Sequence, residues 1–287
     1  MTKFVGKTIL AMKKSLLSLL SMLLAVGAFA FPSAQVDTLS IDTGKMSPSP
    51  VKVTVAVPES YLAEGDTASY PVVYLLNGYS GDYRDYAANM HLDNLATLHN
   101  VIIVCPDGRD SWYWDSPVDK GMQMESFIVD ELVPAIDAEL RTRADRDNRA
   151  IAGLSMGGHG ALWLAIRHSD IWGNAGSMSG GVDITPAKFR KRWKMAKRLG
   201  PYASNPSRWR EHTVMSLVSK LEPGRLDIII MCGESDIFIN ENNEFDRKLT
   251  EHGINHQYIT APGDHSWGYW KSALPVILEF FSRSFDR

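Results

Sequence analysis

The chain has 287 residues, of which 45% are hydrophobic, and its 30 basic and 33 acidic side chains give a formal net charge of −3. This acidic balance, without a basic tail, argues against nucleic acid or an anionic membrane as a partner. The length suits one large α/β domain that buries most of its surface.

The first thirty residues have the pattern of a signal peptide. Four lysines precede an uncharged run, residues 15–36, whose apolar centre lies at 16–28. Ala28-Phe29-Ala30 then supplies the small-x-small site that signal peptidase prefers. We therefore predict a signal peptide at 1–30 and one secreted or periplasmic domain at 31–287, free of the membrane after cleavage. Because the removed segment holds four lysines and no acid, cleavage changes the net charge from −3 to −7.

Two alternatives concern the same segment. A retained membrane anchor would need about 20 apolar residues, and this stretch is shorter and is closed by Pro32. Translation could also begin at Met12, because the run from Met12 to Leu17 is by itself a complete signal-peptide opening.

Short apolar runs rich in Val and Ile predict strands that are covered on both faces. The predicted strands are Val36–Ile41, Val51–Val57, Val72–Leu76, Val101–Cys105, Ala150–Gly153, Asn174–Met178, Ile228–Cys232 and Gln257–Thr260. The first of these alternates in polarity, which indicates an outer strand. Helical patterns fall between the later strands, so the order predicts an α/β fold with a mostly parallel central sheet and helices on both faces.

Three helices have clear patterns. Apolar residues recur at helical spacing over 127–140, where Pro134 must kink or break the helix. A second helix follows Ser155 and ends near residues 168–170. A third is predicted from about Ser272 to Phe281, with Pro275 in its first turn.

Residues 183–224 match no strand pattern and carry seven Lys or Arg residues between 188 and 198. We predict a lid-like helical insertion over the carboxyl ends of the strands. Its charge indicates either a solvated helix face or a lid that attracts acidic groups of a substrate.

The two cysteines, Cys105 and Cys232, end different predicted strands. In the proposed sheet these strands lie about four spacings of ~4.8 Å apart. A disulfide requires α-carbons within ~7 Å, so both residues are predicted to be buried thiols.

Gly153-Leu-Ser155-Met-Gly157 joins a predicted strand to a predicted helix. A serine flanked at two residues on either side by glycine, at such a junction, is the pattern of a nucleophile elbow. The glycines lack the β-carbons that would collide at a tight turn, and the N–H of Met156 would face a developing oxyanion at the helix N-terminus. The alternative is a glycine-rich turn that contains a serine by chance.

A serine nucleophile needs a base and a carboxylate that orients the base, and in this arrangement they follow in the order serine, acid, histidine. Asp236 lies in the loop after the predicted strand Ile228–Cys232, and Glu234 is the alternative acid. His265 follows the last predicted strand and is the predicted base. His159 lies on the helix four residues after the serine, where packing or hydrogen bonding is the better interpretation.

The glycine-bearing loop after Val72–Leu76 is predicted to supply a second oxyanion donor, the N–H of Tyr79. Two aromatic clusters follow the predicted strands Val101–Cys105 and Gln257–Thr260. Their tryptophans are candidate substrate contacts, although packing in the core is an equal alternative; they are Trp112, Trp114, Trp267 and Trp270. The histidines and acids show no metal-ligand pattern, so no metal and no cofactor are predicted.

Taken together, the ordered motifs resemble the esterase D-type branch of the α/β-hydrolases, which includes S-formylglutathione hydrolases, tributyrin esterases, feruloyl and acetyl xylan esterases and mycolyltransferases. The matching segments span most of the mature chain; they are Tyr70–Gly78, Pro106–Gly108, Gly153–Leu162, Cys232–Asp236 and Pro262–Trp270. One departure is Asn77, where most of these enzymes have histidine.

The resemblance implies an α/β-hydrolase fold, a triad of Ser155, Asp236 and His265, and an oxyanion hole formed by the N–H groups of Tyr79 and Met156. It also implies a carboxylic ester hydrolase that acts through an acyl-serine intermediate. Export favours acetyl, short-chain acyl or feruloyl esters of carbohydrates as substrates. The alternatives are an acyltransferase of the mycolyltransferase type and a catalytically inactive carbohydrate-binding relative; the oligomeric state stays open.

Overall fold

The computed structural model describes residues 35–285, so the predicted signal peptide and its cleavage site lie outside the described residues. Within this range the chain forms one eight-stranded sheet, in the order β1-β2-β4-β3-β5-β6-β7-β8. The strands are β1 Val36–Ile41, β2 Val51–Ala56, β3 Val72–Leu76, β4 Ile102–Pro106, β5 Arg149–Leu154, β6 Asn174–Met178, β7 Asp227–Gly233 and β8 Gln257–Ala261. The predicted strands are therefore confirmed, with ends that differ by at most one residue.

The first two strands are antiparallel to their neighbours, and β3 to β8 are parallel. Register aligns the carboxyl ends of the parallel strands. Leu76 pairs with Gly153, Leu154 with Met178, and Gly233 with Ala261. Because the loops that leave these ends emerge at one edge of the sheet, residues from four distant segments can meet there.

Helices cover both faces of the sheet. The helices are α1 Asp85–Asn89, α2 Leu92–His99, α3 Met124–Phe127, α4 Val133–Glu139, α5 Met156–Arg167, α6 Ala196–Leu199, α7 Pro206–Glu211, α8 Ile239–Glu251 and α9 Trp267–Phe285. The mostly parallel sheet and its covering helices confirm the predicted α/β-hydrolase architecture. Helix α5 is buried from Met156 to Ile166, as expected for a helix enclosed on all sides. Among the described helices, none is long and apolar enough to cross a membrane.

Proline affects two helices differently. A π-helical turn, Ile128–Leu132, separates α3 from α4, and Pro134 occupies the first turn of α4, so the predicted interruption is present. The predicted start of the last helix was wrong: α9 begins at Trp267, and Pro275 lies inside it. Proline removes one backbone hydrogen bond there, but the buried stripe that includes Trp270 and Ile277 packs against the sheet and keeps the helix continuous.

The segment between β6 and β7 contains only short helical pieces. Besides α6 and α7 it has two 3₁₀ turns, Tyr202–Ser204 and Val214–Lys220. Cys105 and Cys232 are both buried and unpaired, in β4 and β7, four places apart in the sheet. The prediction of free thiols is therefore confirmed.

Candidate active site

Ser155 occupies a strained turn between β5 and α5. Its backbone has φ 55° and ψ −115°, a region that residues other than glycine rarely adopt. A Cβ placed on Gly157 would lie 2.0 Å from the carbonyl oxygen of Leu76, and one on Gly153 would lie 2.4 Å from the carbonyl carbon of Gly157. The two glycines are therefore required by close backbone approach, and the turn has the geometry of a nucleophile elbow.

A histidine from the loop after β8 contacts this serine. Nε2 of His265 lies 2.8 Å from Oγ of Ser155, and Nδ1 lies 2.9 Å from Oδ2 and 3.0 Å from Oδ1 of Asp236. The Asp236 side chain is fully buried and also accepts the backbone N–H of Phe238 at 2.8 Å. This arrangement allows the imidazole to take a proton from the hydroxyl while the carboxylate fixes its orientation.

The loop after β7, which contains Asp236 (the acid loop), is joined by backbone hydrogen bonds to the loop after β8, which contains His265 (the base loop). The N–H groups of Glu234 and Ser235 donate to the carbonyls of Ala261 and Gly263, at 3.0 and 2.9 Å. The Glu234 side chain is exposed, whereas Asp236 points inward to the imidazole, so geometry favours Asp236 over the alternative acid. Asp264 is exposed and hydrogen-bonded to Ser266, consistent with a role in shaping the turn.

His159 is fully buried and held by two hydrogen bonds. Nε2 accepts the indole N–H of Trp114 at 2.9 Å, so Nδ1 carries the proton and donates to the carbonyl of Gly181 at 3.0 Å. Burial lowers its pKa to about 3. A neutral imidazole with both nitrogens engaged has no free site for a proton. His159 therefore has a role in packing and hydrogen bonding, and it is not placed to act as the base.

The aromatic residues fall into two groups. Trp112 and Trp114 are 1% and 0% exposed, so the structure places them in the core, and their interpretation as cleft contacts was wrong. They stack on each other and pack against His159, because the loop after β4 turns inward beside α5. Trp267 is only half-buried, and Trp270 is buried with its ring centre 5.1 Å from that of His265.

The two predicted oxyanion donors lie on segments that flank the serine. Met156 is the first residue of α5 and is buried. The loop after β3 passes the serine so closely that a Cβ on Gly78 would lie 3.6 Å from the Cβ of Ser155, and Tyr79 follows directly. Asn77, the departure from the family pattern, is buried and braces the loop after β4 by accepting the N–H of Gly108 at 2.9 Å.

The segment between β6 and β7 reaches the site through a series of packed aromatic rings. Phe189 and Trp193 pack against Phe238, at ring-centre distances of 4.8 and 5.4 Å. Phe238 in turn lies 5.4 Å from the ring centre of His265. Sequence reasoning missed Phe238 and Trp193; the signal for Phe238 was its position two residues after the predicted acid.

Across residues 35–285, no group of three or more His, Cys, Asp or Glu side chains is arranged to hold a metal ion.

Comparison with known proteins places the chain among esterases. The family model described as "Putative esterase" matches residues 44–281. An acetyl esterase from Caldicellulosiruptor saccharolyticus is 27% identical over 231 residues, covering 77% of this chain and 86% of that protein. The diacylglycerol acyltransferase/mycolyltransferase Ag85B of Mycolicibacterium smegmatis is 26% identical, covering 90% of this chain and 87% of that protein. A solved ferulic acid esterase superposes with a TM-score of 0.74 at 28% identity, over 87% of this chain and 98% of that one.

The family match includes the elbow, the acid loop and the base loop, and it extends over most of the chain. The resemblance inferred from the sequence motifs is thereby confirmed, as is the fold. The chain belongs to this esterase family, and it is a carboxylic ester hydrolase with an α/β-hydrolase fold.

Proposed function

We propose that Ser155, His265 and Asp236 act as a catalytic triad. The observation that carries this proposal is the continuous chain of contacts from Asp236 through both nitrogens of His265 to Ser155 Oγ, which lies on the strained elbow. A serine hydroxyl is a weak nucleophile until a base removes its proton. In this arrangement Nε2 is the base, and the buried carboxylate stabilises the imidazolium that forms.

The reaction then follows from these positions. Ser155 Oγ attacks the ester carbonyl while its proton moves to Nε2 of His265. The N–H groups of Met156 and Tyr79 stabilise the oxyanion, and each such donor typically contributes about 3 kcal/mol. His265 passes the proton to the leaving alcohol, which departs and leaves an acyl-serine. Water, deprotonated by the same imidazole, releases the acid and restores the hydroxyl.

We propose acetyl, short-chain acyl or feruloyl esters of carbohydrates as the substrates. Two relatives support this class, since one is named acetyl esterase and a structural neighbour ferulic acid esterase. Trp267 and Trp193 are half-buried and lie in the ring cluster that surrounds His265, so each offers an aromatic surface to a sugar or a feruloyl group. Secretion or export to the periplasm fits such substrates and rests on the signal-peptide pattern.

An acyltransferase is the second candidate. The relative Ag85B is named an acyltransferase and aligns over 90% of this chain. In that case a sugar hydroxyl would replace water as the acceptor of the acyl group. The triad is the same for both reactions, so the difference lies in which acceptor reaches the acyl-serine.

The test is single-turnover acylation by a p-nitrophenyl ester. Wild type is expected to release a burst of nitrophenol, and Ser155→Ala to lose it, with turnover lower by roughly 10⁴–10⁶-fold. Ser40→Ala, on the outer strand β1, is the matched control and should retain the burst. Equal behaviour of wild type and Ser155→Ala would contradict the proposed mechanism and favour an inactive relative.

Two further measurements identify the acyl group of the substrate and the acceptor of the acyl group. A panel of acetyl, butyryl and feruloyl esters, free and on xylan oligomers, identifies the acyl group by comparison of kcat/KM. Added acceptor sugar distinguishes the reactions, because a transferase forms an acylated sugar while a hydrolase releases only the free acid.

A further inference from the structure

Helix α8 carries a buried polar residue on its apolar face. Phe245 and Leu249 recur at helical spacing on this face, and Phe238 precedes the helix at the same spacing. Asn242 falls on this stripe and is 0% exposed. Because burial of a polar side chain is unfavourable unless its groups are paired, such a residue calls for an explanation.

The Asn242 amide joins two loops that leave neighbouring strands. Nδ2 donates to the carbonyl of Phe238 at 2.9 Å and to the carbonyl of Gly180 at 3.0 Å. Phe238 belongs to the loop after β7 and Gly180 to the loop after β6. Both hydrogens of one nitrogen are therefore used, and Oδ1 has no hydrogen-bond partner among the described residues. The Phe238 carbonyl also accepts the backbone N–H of Asn242 at 2.9 Å, so what the side chain adds is chiefly the bond that ties Gly180 to this loop.

One of these carbonyls belongs to the acid loop. The N–H of Phe238 donates to Oδ1 of Asp236 at 2.8 Å, and the Phe238 ring packs 5.4 Å from the ring of His265. The position of the Phe238 backbone therefore affects both the rotation of the Asp236 carboxylate and the ring that packs against the His265 imidazole.

The other carbonyl belongs to the loop behind the serine. The N–H of Gly181, the next residue, donates to the carbonyl of Ser155 at 3.2 Å, and the N–H of Ser155 donates to the carbonyl of Met178 at 2.9 Å. The end of β6 and the loop that follows it thus hold the N–H and the C=O of Ser155. A side chain that anchors Gly180 anchors the backbone of the nucleophile.

We propose that Asn242 is a positioning residue that sets the distance between the serine and the His265–Asp236 pair. This inference rests on the proposed triad. An amide NH₂ is suited to the role, since one nitrogen donates to two carbonyls whereas a leucine of similar size donates to neither. A displacement of about 1 Å between catalytic groups can lower the rate by as much as 10²-fold.

Two near-isosteric variants, Asn242→Asp and Asn242→Leu, test the role. Each removes both donors, and we expect kcat to fall by about 10–100-fold while KM changes little, because substrate does not contact this residue. Asn242→Ser should be intermediate, since a serine hydroxyl can donate to the i−4 carbonyl, here Phe238, but is too short for Gly180. Asn243→Asp, an exposed neighbour on the same helix turn, is the control and should match wild type.

Active-site titration separates positioning from folding. The burst amplitude counts competent sites, and the acylation rate is then expressed per titrated site. A purely structural role lowers the amplitude and leaves this rate unchanged, so an unchanged rate per site in Asn242→Asp and Asn242→Leu would overturn the inference. The proposed triad fails on a different result, a burst that persists in Ser155→Ala, so the two failures are distinguishable.

Discussion

Ser155 is held in a backbone conformation that costs on the order of 1–3 kcal/mol. At the scale of single residues, four contacts maintain it: one hydrogen bond from its N–H, two at its C=O, and the close approach of Gly157 to the carbonyl of Leu76. The strained turn places Oγ 2.8 Å from Nε2 of His265. Substitutions around the elbow are therefore expected to affect activity before they affect the rest of the fold.

Gly157→Ala tests the close approach. Its Cβ would lie 2.0 Å from the carbonyl oxygen of Leu76 and 2.6 Å from the carbonyl carbon, so the backbone must shift. We expect acylation per mole of folded protein to drop by at least about 10²-fold. Gly44→Ala is the matched control, because no described heavy atom outside its own neighbours lies within 4 Å of its Cβ position. Equal activity of both variants would show that the elbow tolerates a side chain at 157.

His159→Ala and His265→Ala are expected to have opposite effects. Loss of His159 leaves the indole N–H of Trp114 and the carbonyl of Gly181 unpaired in the core, and it opens a cavity. The free energy of unfolding should fall by about 2–4 kcal/mol, while far more activity per folded molecule remains than in His265→Ala. His265→Ala should keep its stability and lose activity. Urea unfolding and ester hydrolysis measure the two quantities, and the reverse ranking would mean that the base was misassigned.

At the scale of elements, ion pairs fix the segment between β6 and β7. Arg198, on α6, is 2% exposed and pairs with Asp110 and Asp119 in the loop after β4. Lys188 pairs with Glu241 on α8 at 2.8 Å. Between these two anchors lie Phe189 and Trp193, whose rings pack toward the site. The anchors therefore determine where the aromatic surface next to His265 is held.

Arg198→Met is expected to loosen this segment. It leaves two carboxylates without their buried partner, and we expect a loss of roughly 2–3 kcal/mol in unfolding free energy, with faster proteolysis within residues 183–224. Lys197→Met is the matched control, since Lys197 is mostly exposed and lies 4.0 Å from Asp110. Equal proteolysis of the two variants would contradict the anchoring role.

At the scale of the whole molecule, a buried carboxylate links distant elements near the C-terminal end of α5, the end that lies away from the serine. Glu125, on α3, accepts hydrogen bonds from Trp163 at 2.9 Å and Arg167 at 2.7 Å, and it contacts His168 at 2.7 Å. Burial alone would raise the pKa of this carboxyl, but the bonds from His168, Arg167 and Trp163 outweigh it and lower the pKa below its ordinary value.

Stability should depend on pH through this carboxylate. Because its folded-state pKa is lowered, Glu125 stabilises the fold above its unfolded-state pKa, and the contribution is lost as pH falls through the folded-state pKa. Glu125→Gln is expected to cost about 1–3 kcal/mol at neutral pH, and the difference from wild type should shrink in acid. Unfolding across pH measures it, with the exposed Glu64→Gln as control. A difference independent of pH would contradict this account.

The sequence alone determined the positions of the strands along the chain, the elbow, and the three side chains that meet at the sheet edge. These follow from local signals: apolar runs between turns, glycines two residues either side of a serine, and the fact that parallel strands end at a common edge. His265 and Asp236 could be found because each lies in the first loop after a recognisable strand.

Only the tertiary structure decided which side chains face inward from the loops. Trp112 and Trp114 fill the core beside α5, α9 begins earlier than Pro275 suggested, and Asn242 bridges two loops more than fifty residues apart in the chain. The start of α9 was missed because burial against the sheet overrides a proline. Asn242 was missed because the two carbonyls that it serves become neighbours only when the strands have paired.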